Sequence, residues 1–453
     1  MVRQSLKRRC VMGKERILSP VKRIHGGMLL PHLKNTADAE SVVMPAPDEV
    51  RIPMLQHIGA PAEPVVKAGD KVFVGTLIGK AARVVSASVH SSVSGTVKSV
   101  ESITSGGREV PCVTIESDGL MEKEPSLKPF KVETPEDIAK AAAECGLVGL
   151  GGAGFPTSVK LSVKDGNIDT LIINGAECEP YITSDYRECI ENYNDVINGV
   201  YLLKEKLGIK KVIICIESNK EKAITKLYTV AADERDTDDT VKLMKLPTSY
   251  PQGAEKVIIY SATGRRVPAG KLPSDVGCIV MNITSVATLY RFISTGMPLV
   301  SKRITVDGTA VKEPKNVIVP IGTKISDLLE FAGGVTDDAA EIIMGGPMMG
   351  VDACDRDAVI EKRNNAVTVM SEKIVEPETG PCIHCGRCAS VCPMRLYPSM
   401  VDAALNHGAA DRLERLNVNY CMECGSCSFV CPAKRPLTQV MRLAKTELRR
   451  KPQ

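Results

Sequence analysis

The sequence predicts a multidomain chain mixing α/β and α+β units, and three observations predict it. Its 453 residues exceed one compact core, since domains run about 100 to 200 residues. Short β-branched runs cut by glycine turns fill residues 50 to 118, strands and helical stretches alternate from about 130 to 297, and short strands return after 299. Finally one cysteine spacing is written twice, Cys382-x2-Cys385-x2-Cys388-x3-Cys392-Pro393 and Cys421-x2-Cys424-x2-Cys427-x3-Cys431-Pro432. The expected division is a basic segment 1–44 followed by units at 45–120, 130–297, 298–355 and 372–446.

The first unit is all-β, with runs at Val65-Val66, Val72 to Val74, Arg83 to Val89, Thr96 to Val100 and Val110 to Ile115. His57 and His90 read as packing or hydrogen-bonding residues, because no Cys or His stands at ligand spacing. After a charged linker, Met121 to Lys128, Thr134-Pro135-Glu136-Asp137 opens a helix whose apolar face includes Ile138, Ala142 and Cys145. Strands are expected at Thr170 to Ile173, Val212 to Ile216, Val257 to Tyr260 and Cys278 to Met281, between helical stretches such as Glu188 to Leu207. Residues 299 to 350 hold short strands, a helix at Ile325 to Phe331 and a closing "MGGPMMG", a β-grasp-like unit. A polar linker, Glu372 to Thr379, leads to the cysteine-rich unit, where Ser399 to Leu416 supplies a helix between the two runs.

Eight thiolates at the doubled spacing are the ligand set for two [4Fe-4S] clusters, and in two-cluster ferredoxins the cysteine before proline ligates the other cluster. Cys382, Cys385, Cys388 and Cys431 are therefore assigned to one cluster, and Cys421, Cys424, Cys427 and Cys392 to its neighbour. A zinc ribbon needs four ligands, not eight, and would not explain the proline after each final cysteine. His384, inside the first run, reads as a surface residue or a hydrogen-bond donor to the cluster. The other cysteines, Cys10, Cys112, Cys145, Cys178, Cys189, Cys215, Cys278 and Cys354, have no pairing spacing, which fits a reducing cytoplasm. No stretch approaches the ~20 apolar residues of a membrane helix, and the start lacks the apolar segment of a signal peptide, so a soluble or peripheral protein is expected. The net charge of +4 is mild, although the first 23 residues carry eight Lys or Arg against Glu15. No nucleic-acid partner is expected.

Gly149-Leu150-Gly151-Gly152-Ala153-Gly154 matches G-x-G-x-x-G, yet a helix precedes it and the next strand follows it, the reverse of the dinucleotide-binding order. What survives is physical: a glycine run exposes backbone N–H groups and admits a flat or anionic ligand. Taken alone, the loop reads equally as a tight packing turn. Asn174-Gly175-Ala176-Glu177-Cys178-Glu179-Pro180 then follows a strand, where side chains at the carboxyl end face a ligand crevice.

The segments "GLVGLGGAGFPTSVK" and "NGAECEP" resemble, in order, the flavin- and NADH-binding subunit family of respiratory complex I, with loops of the type GRGGAGFPTGxK and NADESEP. The resemblance implies a Rossmann-like α/β domain for FMN and NADH. Gly149, Gly151 and Gly152 would approach FMN, with Gly154 completing the loop, Lys160 at its phosphate, and Asn174 and Glu177 at its ring or ribityl chain. Phe155 and Glu179 would lie against NADH, and Asn282 and Thr284 resemble the later Asn and Thr that hold the FMN phosphate. Leu150 and Ala176 stand where that family has arginine and aspartate, and Tyr250-Pro251-Gln252-Gly253-Ala254-Glu255-Lys256 replaces its second acidic motif.

Upstream, "VKAGDKVFVGTLIG" and "VSASVHSSVSGTV" resemble the barrel-sandwich fold of lipoyl carriers, but Ser86 to Ser94 contains no lysine to modify, which favours a structural or docking role. Barrel-sandwich, flavin and SLBB-like β-grasp units followed by an α-helical dicluster ferredoxin domain resemble the family of C subunits of the Rnf complexes, from about residue 20 onward. That implies an enzyme subunit of an ion-translocating ferredoxin:NAD+ oxidoreductase, passing electrons between NAD(H), FMN and two [4Fe-4S] clusters. It implies membrane-embedded and ferredoxin-type partner subunits, indirect exchange with ferredoxin, and a place on the cytoplasmic face of the cell membrane. Hydride transfer to a flavin needs no protein acid, so no catalytic side chain is assigned. Nothing in the chain could pump Na+ or H+ itself. Two other readings stay open: a soluble flavin and iron–sulfur reductase such as a microcompartment cobalamin reductase, and a non-enzymatic electron-relay scaffold with an empty glycine loop.

Overall fold

The computed structural model describes residues 17–105, 108–162, 168–231, 239–353, 358–371 and 378–450. Cys10, Cys354, most of the basic leader and linker residues 372–377 lie outside them. At the centre is a five-stranded, all-parallel sheet in the order Ile17–Leu18, Val241–Leu246, Lys211–Glu217, Thr170–Gly175, Cys278–Asn282. Its strands are apolar on both faces, as a sheet sandwiched between helices requires. Leu171, Ile173, Val212 and Ile214 pack on the face that carries Tyr193–Leu207 and Ile283–Thr295. Ile172, Ile213, Cys215 and Met244 pack on the other, beneath Glu255–Thr263.

Strand order decides where a ligand can enter. From Thr170–Gly175 the chain winds outward through Lys211–Glu217 to Val241–Leu246, then returns to place Cys278–Asn282 on the opposite side. The order therefore reverses between Thr170–Gly175 and Cys278–Asn282, and open α/β sheets bind ligands outside the carboxyl ends of strands at such a reversal. Asn174 and Asn282, the residues there, are directly paired in register.

Two expectations are corrected here. Val257 to Tyr260, read as a strand, lies inside the helix Glu255–Thr263. Parallel neighbours need a crossover connection, and burial of Ile258, Ile259 and Ala262 against the sheet overrides the β-branched composition. The long helices expected at Glu188 to Leu207 and Ser399 to Leu416 are each broken, into Ser184–Glu191 with Tyr193–Leu207 and Pro398–Asn406 with Ala410–Arg415.

The all-β unit comprises a four-stranded and a three-stranded sheet around Val50, Ile52, Ile78, Val89, Val97 and Val113. The second mixed unit is a six-stranded sheet in which Ser301–Gly308 lies between antiparallel Lys315–Pro320 and parallel Ala366–Met370, with Ile325–Phe331 packed over it. That sheet reaches beyond residue 355 and takes Val42–Val43 as an edge strand. In the cysteine unit the repeat is structural as well as sequential. Left-handed backbone recurs at His384, Gly386 and Arg395 and again at Glu423, Gly425 and Lys434. The short helices Arg387–Ser390 and Ser426–Phe429 recur likewise. Among the described residues no helix is long and apolar enough to cross a membrane.

Lysines lock these units together. Lys362 is wholly buried and its ammonium donates to the carbonyls of Ser88 in the all-β unit and Gly146 in the central unit, the latter at 2.7 Å. Burial pulls its pKa down to about 8. Between about pH 8 and 10.5 the unfolded chain therefore holds more protons at this site, so its contribution to stability rises with pH across that window. Lys362→Met should remove that rise and strand two carbonyls. A loss of ~2–4 kcal/mol is expected in urea unfolding, with pH-dependent melting of both proteins as the check.

Candidate functional site

The glycine loop is a closed turn with an open tip. Gly149 N–H donates to the Phe155 carbonyl at 2.9 Å and Gly154 N–H to the Gly149 carbonyl at 3.1 Å, while Gly151, Gly152 and Ala153 are exposed. Gly152 has φ +104° with empty space beside it, so a side chain there would meet backbone strain rather than a clash. Leu150 is buried: its N–H donates to Ser285 Oγ at 3.1 Å and its carbonyl accepts from Lys302 at 3.3 Å. Phe155 is half-buried beside the tip. Gly151 lies against the Asn282 amide, which brings the loop to the strand ends where the sheet order reverses.

The other expected ligands are mostly engaged by the protein itself. Asn174 Nδ2 donates to the Gly253 carbonyl at 2.8 Å, and its Oδ1 accepts from Ala176 N–H at 3.1 Å. Lys160 donates to the Val280 carbonyl at 2.8 Å and pairs with Glu255 at 3.3 Å. Asn282 caps the helix Ile283–Thr295 through Oδ1, accepting from the N–H groups of Thr284 and Ser285. Its Nδ2 donates to Asp185 at 2.7 Å, and Thr284 Oγ1 donates to the same carboxylate at 2.6 Å. Asn282 and Thr284 are thus turned toward Asp185 rather than held free for a phosphate, because the buried carboxylate needs their donors. Glu177 likewise serves the fold: its carboxylate accepts from Asp185 N–H at 2.8 Å, at the start of Ser184–Glu191, and faces Lys220 at 3.7 Å.

Glu179 differs. Its Oε2 accepts from Met348 N–H at 3.1 Å, while Oε1 is buried with no hydrogen-bond partner among the described residues. Burial pushes its pKa up to about 7, with the Met348 N–H and the charge of Lys34 working against the rise. The Tyr250 hydroxyl and the Met349 peptide lie beside the same carboxyl, but Tyr250 donates to Cys424, and a buried acceptor left over in this way suits a ligand carrying hydroxyl or amide donors. Asp185 is raised to about 6, by burial first and by the nearby Glu177 charge second. Sequence reasoning missed Asp185, Lys34, Lys302 and Met348. Lys34 donates to the carbonyls of Glu177, Glu179 and Ile182, holding the acidic loop from a segment 145 residues away from Glu179, and a lone lysine in the leader carries no local signal of that.

Two bridges connect this crevice to the cysteine unit. Tyr250 Oη donates to the Cys424 carbonyl at 2.6 Å, and Tyr250 belongs to the turn whose Gly253 binds Asn174. Met348, bonded to Glu179 through its N–H, presents its carbonyl to Gly425, where a Cβ would stand 2.7 Å away. Beyond these bridges Cys392, Cys421, Cys424 and Cys427 line one cavity together with Pro393, Leu396 and Met441. Burial pushes the Cys421 and Cys427 thiols up to about 11 and about 12, so iron binding there must release protons. Backbone N–H groups of Leu396 and Glu423 point at Cys392 and Cys421 Sγ, at 3.4 and 3.3 Å. At the other repeat Cys388 is buried but Cys385 is exposed, and Arg435, paired with Asp402 at 2.7 Å, lies near both Cys382 and Cys431. His384 is exposed. Among the described residues no three His, Cys, Asp or Glu stand close enough to grip a single ion; sulfurs ringing a cavity suit a polynuclear cluster instead.

Comparisons with known proteins agree with this layout. Residues 22–120 match a family described as the RnfC barrel sandwich hybrid domain, 142–291 the Nuo51 FMN-binding domain, 303–352 the SLBB domain and 373–432 the 4Fe-4S dicluster domain. The C subunit of the proton-translocating ferredoxin:NAD(+) oxidoreductase complex of Clostridium ljungdahlii is 40% identical over 92% of this chain and 92% of its own. The C subunit of the Na(+)-translocating complex of Acetobacterium woodii is 41% identical over 93% and 96%. The C subunit of the ion-translocating oxidoreductase complex of Rhodobacter capsulatus is 39% identical over 92% and 81%. Among solved structures, a chain of an NAD+-reducing [NiFe]-hydrogenase aligns at 20% identity and TM-score 0.48, covering 70% of this chain, which spans 62% of that chain's length.

Fold and matches together define the class: a flavin and iron–sulfur electron-transfer subunit of a multi-subunit complex. Within that class the chain belongs to the family of C subunits of ion-translocating, Rnf-type oxidoreductase complexes.

Because Glu179 and Asp185 hold protons more tightly in the folded state, their contribution to stability is complete at low pH and lost as pH climbs to about 7 and about 6. A protonated carboxyl band near neutral pH, absent in Glu179→Gln, is the expected infrared signature.

Proposed function

We propose that this chain is the NAD(H)-facing subunit of an ion-translocating ferredoxin:NAD+ oxidoreductase. The observation that carries the reading is the junction at Tyr250 and Met348, where the turn that binds Asn174 and the peptide that binds Glu179 touch Cys424 and Gly425 of the cysteine unit. FMN, when bound, exchanges a hydride with NAD(H) and single electrons with iron–sulfur clusters. The remaining work belongs to the protein. The exposed main chain of Gly151 and Gly152 presents N–H groups to the flavin, Gly149 and Gly154 close the turn that holds them, and Lys160 lies on the phosphate side with Asn174 at the ring edge. Asn282, Thr284 and Glu177 act chiefly by fixing Asp185 and the loop. Phe155 and the free Oε1 of Glu179 face the nicotinamide nucleotide, and the apolar walls exclude water from the reduced site.

Cys421, Cys424, Cys427 and Cys392 hold the inner cluster, and Cys382, Cys385, Cys388 and Cys431 the outer one. Burial and N–H···S contacts tune the inner potential apart from that of the more exposed site. We take the units as 45–120, 130–297, 298–355 and 372–446, the third drawing also on Ala366–Met370 and Val42–Val43. The partners are membrane-embedded and ferredoxin-type subunits, reached from the cytoplasmic face of the membrane, and ferredoxin indirectly.

Anaerobic purification should give about eight iron atoms per chain and one FMN. Adding NADH should bleach the flavin and then the cluster absorbance; a protein that binds neither flavin nor NADH would be a relay scaffold instead. Glu179→Gln should slow flavin reduction by NADH about tenfold or more, ~1.4 kcal/mol of barrier, with iron content unchanged. Cys392→Ser should leave about four irons and remove the paramagnetic signal of the inner cluster while the outer one persists.

A further inference from the structure

A cleft of about 720 Å3 separates the helix Glu255–Thr263 from the iron–sulfur unit. Its floor includes Pro393, Met394 and Leu396, the same residues that line the inner cysteine cavity from the other side. Whatever sits in the cleft is therefore one residue layer from the inner cluster site. The cleft is strongly cationic. Lys256, Arg266, Arg395 and Arg415 line it with His25, and no Asp or Glu among the described residues does.

None of those four cations forms a salt bridge with a carboxylate among the described residues. Two rest on aromatic rings instead, Lys256 over Tyr420 and Arg266 over Tyr260, each at 5.4 Å. Rings orient a cation without neutralising it, so the positive field stays available to an incoming acid. At the rim Tyr397 and Met400 are 56% and 45% exposed, apolar surface that a small anion would leave wet and a protein surface would cover.

We propose that this cleft receives an acidic segment of a neighbouring subunit that carries a one-electron centre. The inference rests on the electron-transfer reading above and adds the place where electrons enter or leave. One electron passes between the partner's centre and the inner cluster, one being oxidised as the other is reduced. Charge-steered docking of this kind is fast and sensitive to salt, as suits repeated single-electron delivery.

The test uses the whole complex carrying Arg266→Glu and Arg415→Glu, two cleft residues that do not line the cysteine cavity. Retention of the protein on washed membranes is measured as salt rises. The wild type should hold at low salt and release as ionic strength climbs, while the variant should release at low salt with at least tenfold more free protein. The purified variant should keep its iron and FMN and its NADH-driven flavin bleaching. Loss of that bleaching in the wild type as well would sink the electron-transfer reading; retention of the variant equal to wild type, with bleaching intact in both, would sink the docking proposal. Two further results would overturn it: calorimetric binding of AMP, used as a small anionic probe, that disappears in the variant, and charge-dependent binding of the isolated wild-type protein to anionic phospholipid vesicles.

Discussion

Three buried ammonium groups hold the ligand loops of this protein in place. Lys34, Lys302 and Lys362 come from the N-terminal segment and the β-grasp unit, and each donates to main-chain carbonyls of the central unit. Burial draws all three down to about 8, the mark of charges kept from water and satisfied by hydrogen bonds rather than by full ion pairs. Backbone carbonyls of a loop have no regular partner of their own. A lysine reaching in from another unit supplies one, and in doing so makes the shape of the crevice depend on the assembly of the units. The same ammoniums place positive charge behind the glycine and acidic loops, so rigidity and electrostatic preference have one source.

From that frame follows the order of the redox sites. The sheet reversal brings Asn174 and Asn282 together, the turn at Tyr250 and the peptide at Met348 fix the contact with Cys424 and Gly425, and Cys424 lines the cysteine cavity next to them. The outer repeat has the same local backbone, yet Cys385 lies at the surface. Identical cysteine spacing thus yields two environments that differ in packing, exposure being one of the properties that set cluster potentials. The all-β unit contributes through Ser88, whose carbonyl accepts from Lys362.

Legibility in the sequence followed the range of the interactions. The cysteine runs, the glycine loop and the helix Ile325–Phe331 are determined within a few residues, so their spacing and composition were readable. Val257 to Tyr260 was not, because a β-branched run takes helical form only once the sheet beneath it exists. The roles of Asn282 and Thr284 changed for a similar reason: Asp185 is 97 residues from Asn282 in sequence, and only folding brings that carboxylate to their donors.

By itself the sequence determined the chemistry on offer: eight thiols in two runs of one spacing, a glycine-rich run of backbone amides, and two acids at a strand end. These are local patterns, set by the reach of a few peptide units. Tertiary structure alone decided which of them meet. It joined Cys392 to the cavity of the second run, left one oxygen of Glu179 free while occupying Glu177, and opened a cationic cleft beside the inner cluster site. Those outcomes depend on contacts between residues tens to hundreds of positions apart, and burial, not spacing, sets the charge each group carries there.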